Sequence, residues 1–133
     1  MPGSRADRVT AAVERALAWT LAACLMAFAV AKLGYGHREG LQVGVTVYYL
    51  ASGVELLAAG LLLTRHRLVG AGLTAVFFTV ALMHSWLTGA TNCGCLGPVA
   101  LSTDTYRMLA ASLGLGATWI LWCRTAPPTL QTR

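Results

Sequence analysis

The sequence from Leu68 to Leu87, LVGAGLTAVFFTVALMHSWL, decides the fold class of this chain. A helix that crosses the roughly 30 Å hydrocarbon layer of a bilayer needs about 20 consecutive, mostly apolar residues. The stretch has that length, and Trp86 stands near its end, where an aromatic ring can sit among the lipid headgroups. It therefore predicts a membrane-spanning helix.

The composition of the whole chain agrees with this prediction. Of the 133 residues, 56% are hydrophobic and 11% are charged, whereas soluble proteins have about 25% charged residues. The net charge of +5 comes from short basic clusters beside the apolar segments, a distribution typical of membrane topology. We therefore expect no binding to nucleic acid.

Further apolar segments lie on both sides of Leu68 to Leu87. We predict a single membrane domain over residues 1–133, with spans at about 15–34, 42–63, 68–87 and 107–123 and a short interfacial helix before the first span. Lipid offers no hydrogen-bond partners to open backbone, and no segment alternates like a barrel strand. The expected fold class is all-α, an integral membrane four-helix bundle with up-down topology.

The first apolar segment has a second interpretation. A basic start, an apolar run and the small residues Ala29-Val30-Ala31 are also typical of a cleavable secretory signal. The run is long for the core of such a signal, which favours a retained helix.

Two cysteines follow the third span in Thr91-Asn92-Cys93-Gly94-Cys95-Leu96-Gly97-Pro98. Gly94 lacks a Cβ atom and lets the two sulfur atoms approach each other, but a disulfide across so small a loop would be strained and easily reduced. Such a pair favours thiol/disulfide exchange. Two thiolates also suit a soft metal such as Cu(I), Zn or Hg, and a tight turn with two unrelated cysteines is the third interpretation.

The basic residues predict which side of the membrane the cysteines face. Seven lie in the N-terminal lead, the loop between the second and third spans, and the tail, whereas Lys32, Arg38 and Arg107 lie on the other side. The positive-inside rule then places both termini in the cytoplasm and loop 88–105 outside the cell membrane. Thiols there are not kept reduced, so a disulfide can persist and be exchanged.

Three polar side chains are candidates for supporting this chemistry. Glu55 lies near the middle of the second span, where a charge is costly, and it can serve as a buried hydrogen-bonding acid or as a proton acceptor for thiol or quinone chemistry. Lys32 can snorkel to the headgroups at the end of the first span. The His84 ring or the Lys32 ammonium, if close to Cys93 or Cys95, would favour the thiolate.

The other two cysteines have a simpler interpretation. Cys24 falls in the middle of the first span, and Cys123 falls at the cytoplasmic end of the last one. Cys123 is therefore separated from the loop pair by roughly the thickness of the membrane. We predict that both are small buried apolar residues. Small residues at Ala58-Ala59-Gly60 and in Ser112 to Ala117 are expected to let helices pack closely.

These features together resemble a known family. Four predicted spans, Lys32-Leu33, Glu55-Leu56-Leu57 and the run Asn92 to Gly97 are similar to the MauE group of the DoxX-like membrane proteins, with Leu96 where that group most often has Phe. The resemblance covers nearly the whole chain. It implies that Cys93 and Cys95 are a redox pair acting beside a thioredoxin-like periplasmic partner on an exported protein, which in the named member is a subunit of methylamine dehydrogenase.

The sequence thus predicts a membrane thiol-disulfide oxidoreductase whose Cys93 and Cys95 exchange electrons or disulfides with an extracytoplasmic partner or exported client. Electrons that cross the membrane would need a quinone or another cofactor, and the sequence has no signature for either. Two alternatives stay open. One is a soft-metal transporter with Cys93 and Cys95 as ligands, and the other is a noncatalytic membrane scaffold that docks an exported enzyme.

Overall fold

The structure, a computed structural model, describes residues 5–36, 43–89 and 101–125. These residues form four α-helices, which are α1 (Arg5–Tyr35), α2 (Val45–Leu63), α3 (Arg67–Thr88) and α4 (Thr103–Thr125). Over these residues, the prediction of an all-α fold with four helices is confirmed. Cys93 and Cys95 lie outside the described residues.

The ends of α1 and α3 follow from glycine positions. The expected interfacial helix is continuous with the first span, because neither glycine nor proline occurs between Arg5 and Leu33. Gly36 follows α1 with φ +67° and donates its N–H to the carbonyl of Lys32. Gly89 follows α3 with φ +64°. Both glycines adopt the left-handed conformation that commonly terminates a helix.

Each helix packs mainly against two others. Helix α1 contacts α2 and α4, and α3 contacts the same two helices. Glu14 of α1, Arg67 of α3 and Arg124 of α4 meet at one end of the molecule, which we call the basic end. Ser85 of α3 and Arg107 of α4 meet at the opposite end, which we call the loop end because the segment with Cys93 and Cys95 connects these two helices there.

Buried positions recur at alternating intervals of three and four residues along the helices. In α4 the buried residues are Tyr106, Ala110, Leu113, Ala117 and Ile120. In α2 they are Tyr48, Ser52, Glu55, Ala58, Ala59 and Leu62. This spacing is typical of helices that cross at about 20° with interlocking side chains. Inward positions are therefore predictable from the register of each helix, and polar residues occupy several of them.

Large apolar side chains cover much of the outside. The exposed positions include Leu50 and Leu57 on α2, Val76 and Val80 on α3, and Leu115 on α4. An apolar exterior around a core that holds buried Lys32, Glu55, Thr74 and Ser85 is the arrangement expected in lipid.

Three helices, α1, α2 and α3, are long and apolar enough to cross a membrane. Helix α4 forms over the residues where the fourth span was expected. Within the described ranges, however, it is not one of the three helices that are long and apolar enough to cross a membrane. It is at least as long as α2 and α3, but Arg107, two tryptophans and several small or hydroxyl residues make it less apolar.

Two helix backbones approach each other closely at Gly70. A Cβ atom on this residue would lie 2.7 Å from the backbone N of Leu62 and 3.0 Å from the carbonyl oxygen of Ala58. The buried Ala58 and Ala59 of α2 lie on the facing side, as their small size predicted, whereas Gly60 is exposed and a Cβ atom there would meet nothing within 4 Å. The tight contact between α2 and α3 thus depends on Gly70.

Candidate functional site

A buried ion pair joins α1 to α2. The Nζ atom of Lys32 lies 2.5 Å from Oε1 of Glu55, and both side chains have 0% exposed surface. Both residues occupy inward positions of their helices, with Lys32 continuing the stripe of α1 that contains Leu25 and Ala29. An ion pair withdrawn from water is stable only when the two charges satisfy each other, because each charge alone would lose its solvation.

Polar and aromatic groups surround this pair. The Lys32 ammonium lies 5.9 Å from the centroid of the Phe77 ring of α3, within range of a cation–π interaction. The Tyr48 hydroxyl lies 3.5 Å from the Lys32 carbonyl, and the Ser52 hydroxyl donates to the Tyr48 carbonyl at 3.2 Å. Three helices therefore contribute to one cluster of polar and aromatic groups in the core.

The two carboxylate oxygens of Glu55 differ in their hydrogen bonding. Oε1 is bound by Lys32, whereas Oε2 is buried and has no hydrogen-bond partner within the part of the chain that the structure describes. A buried carboxylate oxygen with spare accepting capacity is able to take a hydrogen bond or a proton from another group.

The position of Lys32 corrects one prediction. We expected its ammonium to snorkel toward the headgroups, and this expectation is wrong because the side chain turns into the core and binds Glu55. Phe77, which lies beside the ammonium, is 11 residues from the end of α3 at Thr88. At about 1.5 Å per residue, the pair is some 16 Å from the loop end.

His84 lies nearer the loop end than this pair does. It is half-buried, and its carbonyl accepts a hydrogen bond of 2.7 Å from the Thr88 hydroxyl. Seven residues separate it from Phe77 along α3, which is about 10 Å along the axis. The structure thus brings Lys32 and Glu55 together but leaves His84 two turns away from Phe77. The predicted approach of His84 or Lys32 to Cys93 or Cys95 involves residues outside the described ranges and stays a prediction.

A second contact joins the two helices that border the cysteine segment. Arg107 of α4 donates from Nε to the Ser85 hydroxyl at 3.3 Å and from Nη2 to the Ser85 carbonyl at 3.1 Å. Its guanidinium carbon lies 4.3 Å from the centroid of the Trp86 ring, a stacking contact. The end of α3 and the beginning of α4 are therefore tied together on either side of residues 90–100.

Cys24 and Cys123 are half-buried and form no disulfide in the structure described. Among the described residues, no group of three or more His, Cys, Asp or Glu side chains could hold a metal ion. Cys93 and Cys95 were expected both as the redox pair and, alternatively, as metal ligands, and both predictions fall outside that search.

The basic end contains a charged cluster that the sequence analysis did not single out. Nε of Arg124 lies 3.0 Å from both carboxylate oxygens of Glu14, and Nη1 of Arg67 lies 3.7 Å from Oε1. Glu14 is 5% exposed and thus connects three helices from a buried position. The spacing of residues in α1 could have indicated that Glu14 is buried, because Glu14 precedes the buried Ala18 by four residues on the inward face of the helix.

Comparisons with known proteins do not assign this chain to a family. No protein-family model, no curated protein and no solved structure matches this chain.

Proposed function

We propose that this chain is a multi-pass membrane protein of the MauE kind that exchanges disulfides through Cys93 and Cys95 with an extracytoplasmic thioredoxin-like partner or an exported client. The observation that carries the proposal is the Cys93-Gly94-Cys95 stretch, which begins four residues after Gly89, the residue that ends the third membrane-length helix. A dithiol with one intervening residue forms a strained disulfide, which favours exchange over a purely structural role.

In this proposal α4 is the fourth span of an up-down bundle. Its exposed positions include Met108, Leu115, Trp119 and Trp122, so large apolar side chains cover part of its outer face. Arg107, which lowers the apolar character of α4, is partly buried against Ser85 and Trp86. A basic residue near a helix end can keep its charge close to the membrane surface while its neighbours remain in lipid.

The proposed orientation places both termini in the cytoplasm and Cys93 and Cys95 outside. Its support is the grouping of Arg65, Arg67 and Arg124 around one cavity at the end where α1 begins and α4 finishes. Basic residues close to helix ends favour the cytoplasmic side. The loop end would then face the compartment where disulfides persist.

The proposed exchange is balanced in atoms and electrons. The thiolate of one loop cysteine attacks the partner's disulfide, forms a mixed disulfide and releases one partner thiolate. The second loop cysteine then attacks the mixed disulfide, which gives a Cys93–Cys95 disulfide and a partner dithiol. The loop pair loses two electrons and two protons, and the partner gains them. The reverse sequence oxidises the partner.

In this proposal Lys32 and Glu55 are supporting residues. Their ion pair fixes the register of α1 against α2, and the second oxygen of Glu55 is a buried proton acceptor. His84, one turn from the end of α3, is the nearest of the three supporting candidates to the cysteine segment along the chain.

The experiment that tests the proposal uses a variant with Cys24→Ala and Cys123→Ala, so that only the loop thiols react. Adding Cys95→Ser or Cys93→Ser removes one of the two thiols. We expect one of these variants to accumulate a mixed disulfide with a second protein, visible as a gel shift that dithiothreitol reverses. The variant without either loop cysteine is the control.

Other outcomes favour the alternatives. Loop thiols that stay reduced in the membrane and that Cu(I) or Zn protects from alkylation would replace exchange with soft-metal handling. A variant with both Cys93→Ser and Cys95→Ser that still supports folding of an exported client would favour a noncatalytic scaffold.

A further inference from the structure

A small polar cavity opens at the basic end. It has a volume of about 200 Å³ and is lined by Glu14, Thr64, Arg65, Arg67, Leu68 and Arg124. These residues come from α1, the turn between α2 and α3, the first turn of α3 and the last turn of α4. The cavity therefore exists only when the helices are assembled.

The charge of this cavity is unbalanced. Three guanidinium groups face one carboxylate among its described lining residues, which leaves two positive charges in excess. Glu14 is already bound by Arg124 on both oxygens and approached by Arg67. Arg65 instead places its Nε atom 3.3 Å from Nε2 of His66. A further anion could therefore bind to the excess positive charge.

The start of α3 adds a backbone N–H donor to the N–H donors of the arginines. Leu68 lines the cavity as the second residue of α3, a position whose backbone N–H has no intrahelical acceptor, whereas the N–H groups of Val69 and Gly70 donate to the His66 carbonyl. The N-cap residue His66 makes no side-chain capping bond. The helix dipole at this end favours a negative charge, and arginine is the side chain best suited to the oxygens of a phosphate group.

We propose that this cavity binds a phosphate group, supplied by the headgroup of an anionic phospholipid. Its position supports a lipid source, because the cavity includes the turn between α2 and α3, two helices long enough to span a bilayer, where headgroups would lie. Basic pockets between membrane helices are known to hold anionic headgroups. The proposal depends on membrane insertion and is independent of the thiol chemistry of Cys93 and Cys95.

Native mass spectrometry of the full chain in neutral detergent tests this site. Phosphatidylglycerol, phosphatidylcholine and inorganic phosphate are titrated separately. We expect retention of one phosphatidylglycerol molecule and little retention of phosphatidylcholine. Arg65→Gln is the primary variant because Arg65 is not one of the residues that bind Glu14, so the helix contacts remain. We expect about fivefold weaker binding, the effect of removing one basic residue near a charged lipid surface.

Arg15→Gln is the matched control. Arg15 is exposed, lies on α1 beside Glu14 and does not line the cavity, so removing its charge changes the net charge equally without changing the site. We expect its binding of phosphatidylglycerol to equal that of the unmodified protein. Arg124→Gln is expected to weaken binding as Arg65→Gln does.

The outcomes distinguish a phospholipid headgroup from a soluble anion as the ligand of the cavity. Equal, Arg65-dependent retention of inorganic phosphate would support the site with a soluble anion as its ligand, whereas retention of phosphatidylglycerol alone supports the lipid. Equal weakening by Arg15→Gln and Arg65→Gln would overturn the proposal, because binding would then follow overall charge. If the protein binds neither phosphatidylglycerol nor inorganic phosphate, the proposal is overturned as well.

Discussion

Lys32 and Glu55 come from different helices, and their charged atoms lie 2.5 Å apart with no exposed surface on either side chain. Burial withdraws both charges from water, so each depends on the other for stabilisation. The Phe77 ring beside the ammonium adds an attraction that requires the positive charge. The pair therefore couples the position of α1 to that of α2.

Removing both members of this pair should cost less stability than the sum of removing each one. We expect Lys32→Met or Glu55→Met to lower the free energy of unfolding by about 3–5 kcal/mol, because an unpaired buried charge remains. The double variant should lose less than the sum of the two. Unfolding in detergent followed by tryptophan fluorescence measures this, with Arg15→Met as an exposed control on the same helix. Additive losses would contradict the coupling.

Gly70 and Gly72 give a matched test of the contact between α2 and α3. A Cβ atom at Gly70 would lie 2.7 Å from the Leu62 backbone N, whereas one at Gly72 would meet nothing within 4 Å. We expect Gly70→Ala to destabilise the protein by about 1–3 kcal/mol, because backbone atoms must move apart. Gly72→Ala should be neutral or slightly stabilising, since alanine favours helix. Equal effects on the unfolding midpoint would contradict the close approach.

Arg107 should stabilise the ends of the two helices on either side of the cysteine segment. Arg107→Gln removes the stacking on Trp86 and weakens the bonds to Ser85. We expect a loss of about 1 kcal/mol in the free energy of unfolding. In a background with Trp19, Trp119 and Trp122 replaced by Phe, we also expect a change in Trp86 fluorescence. Arg8→Gln, on the exposed first turns of α1, is the control and should leave both quantities unchanged. A variant with unaltered Trp86 emission would show that the stacking does not form.

Cys24 and Cys123 should be dispensable for disulfide exchange. Both are half-buried within helices, and Cys123 lies near the basic end, opposite the end where α3 leads into the cysteine segment. We expect Cys24→Ala and Cys123→Ala, separately or together, to retain exchange with the partner. Loss of the mixed disulfide in either variant would assign that residue a part in the chemistry.

Apolar run length predicted the four helices, because lipid-compatible segments of this length have few other structures available. The helix ends were harder to place. The second helix begins at Val45 instead of near 42, and the first extends back to Arg5. Run length alone does not reveal that polar residues such as Asp7 and Arg8 can continue a helix beyond the apolar region, or that Gly44 precedes the first turn of α2.

The candidate site was predictable in its residues but only partly in its contacts. Glu55 and Lys32 stood out as charges within apolar segments, yet their pairing depends on the relative register of α1 and α2, which neither segment encodes alone. The spacing of three and four residues from Ala18 through Leu25 and Ala29 to Lys32 would have placed the ammonium on the inward face. The bonds of Arg107 to Ser85 and of Glu14 to Arg124 likewise depend on which helices are neighbours.

Labelling of intact cells tests exchange of a Cys93–Cys95 disulfide on the outer face most directly. Cells expressing the Cys24→Ala, Cys123→Ala variant are treated with an impermeant phosphine reductant and then with an impermeant maleimide. We predict that both loop cysteines are labelled in intact cells, that prior reduction increases the labelling, and that the variant without them gives no signal. Labelling that requires lysis, or that reduction does not increase, would contradict an exchangeable disulfide on the outer face.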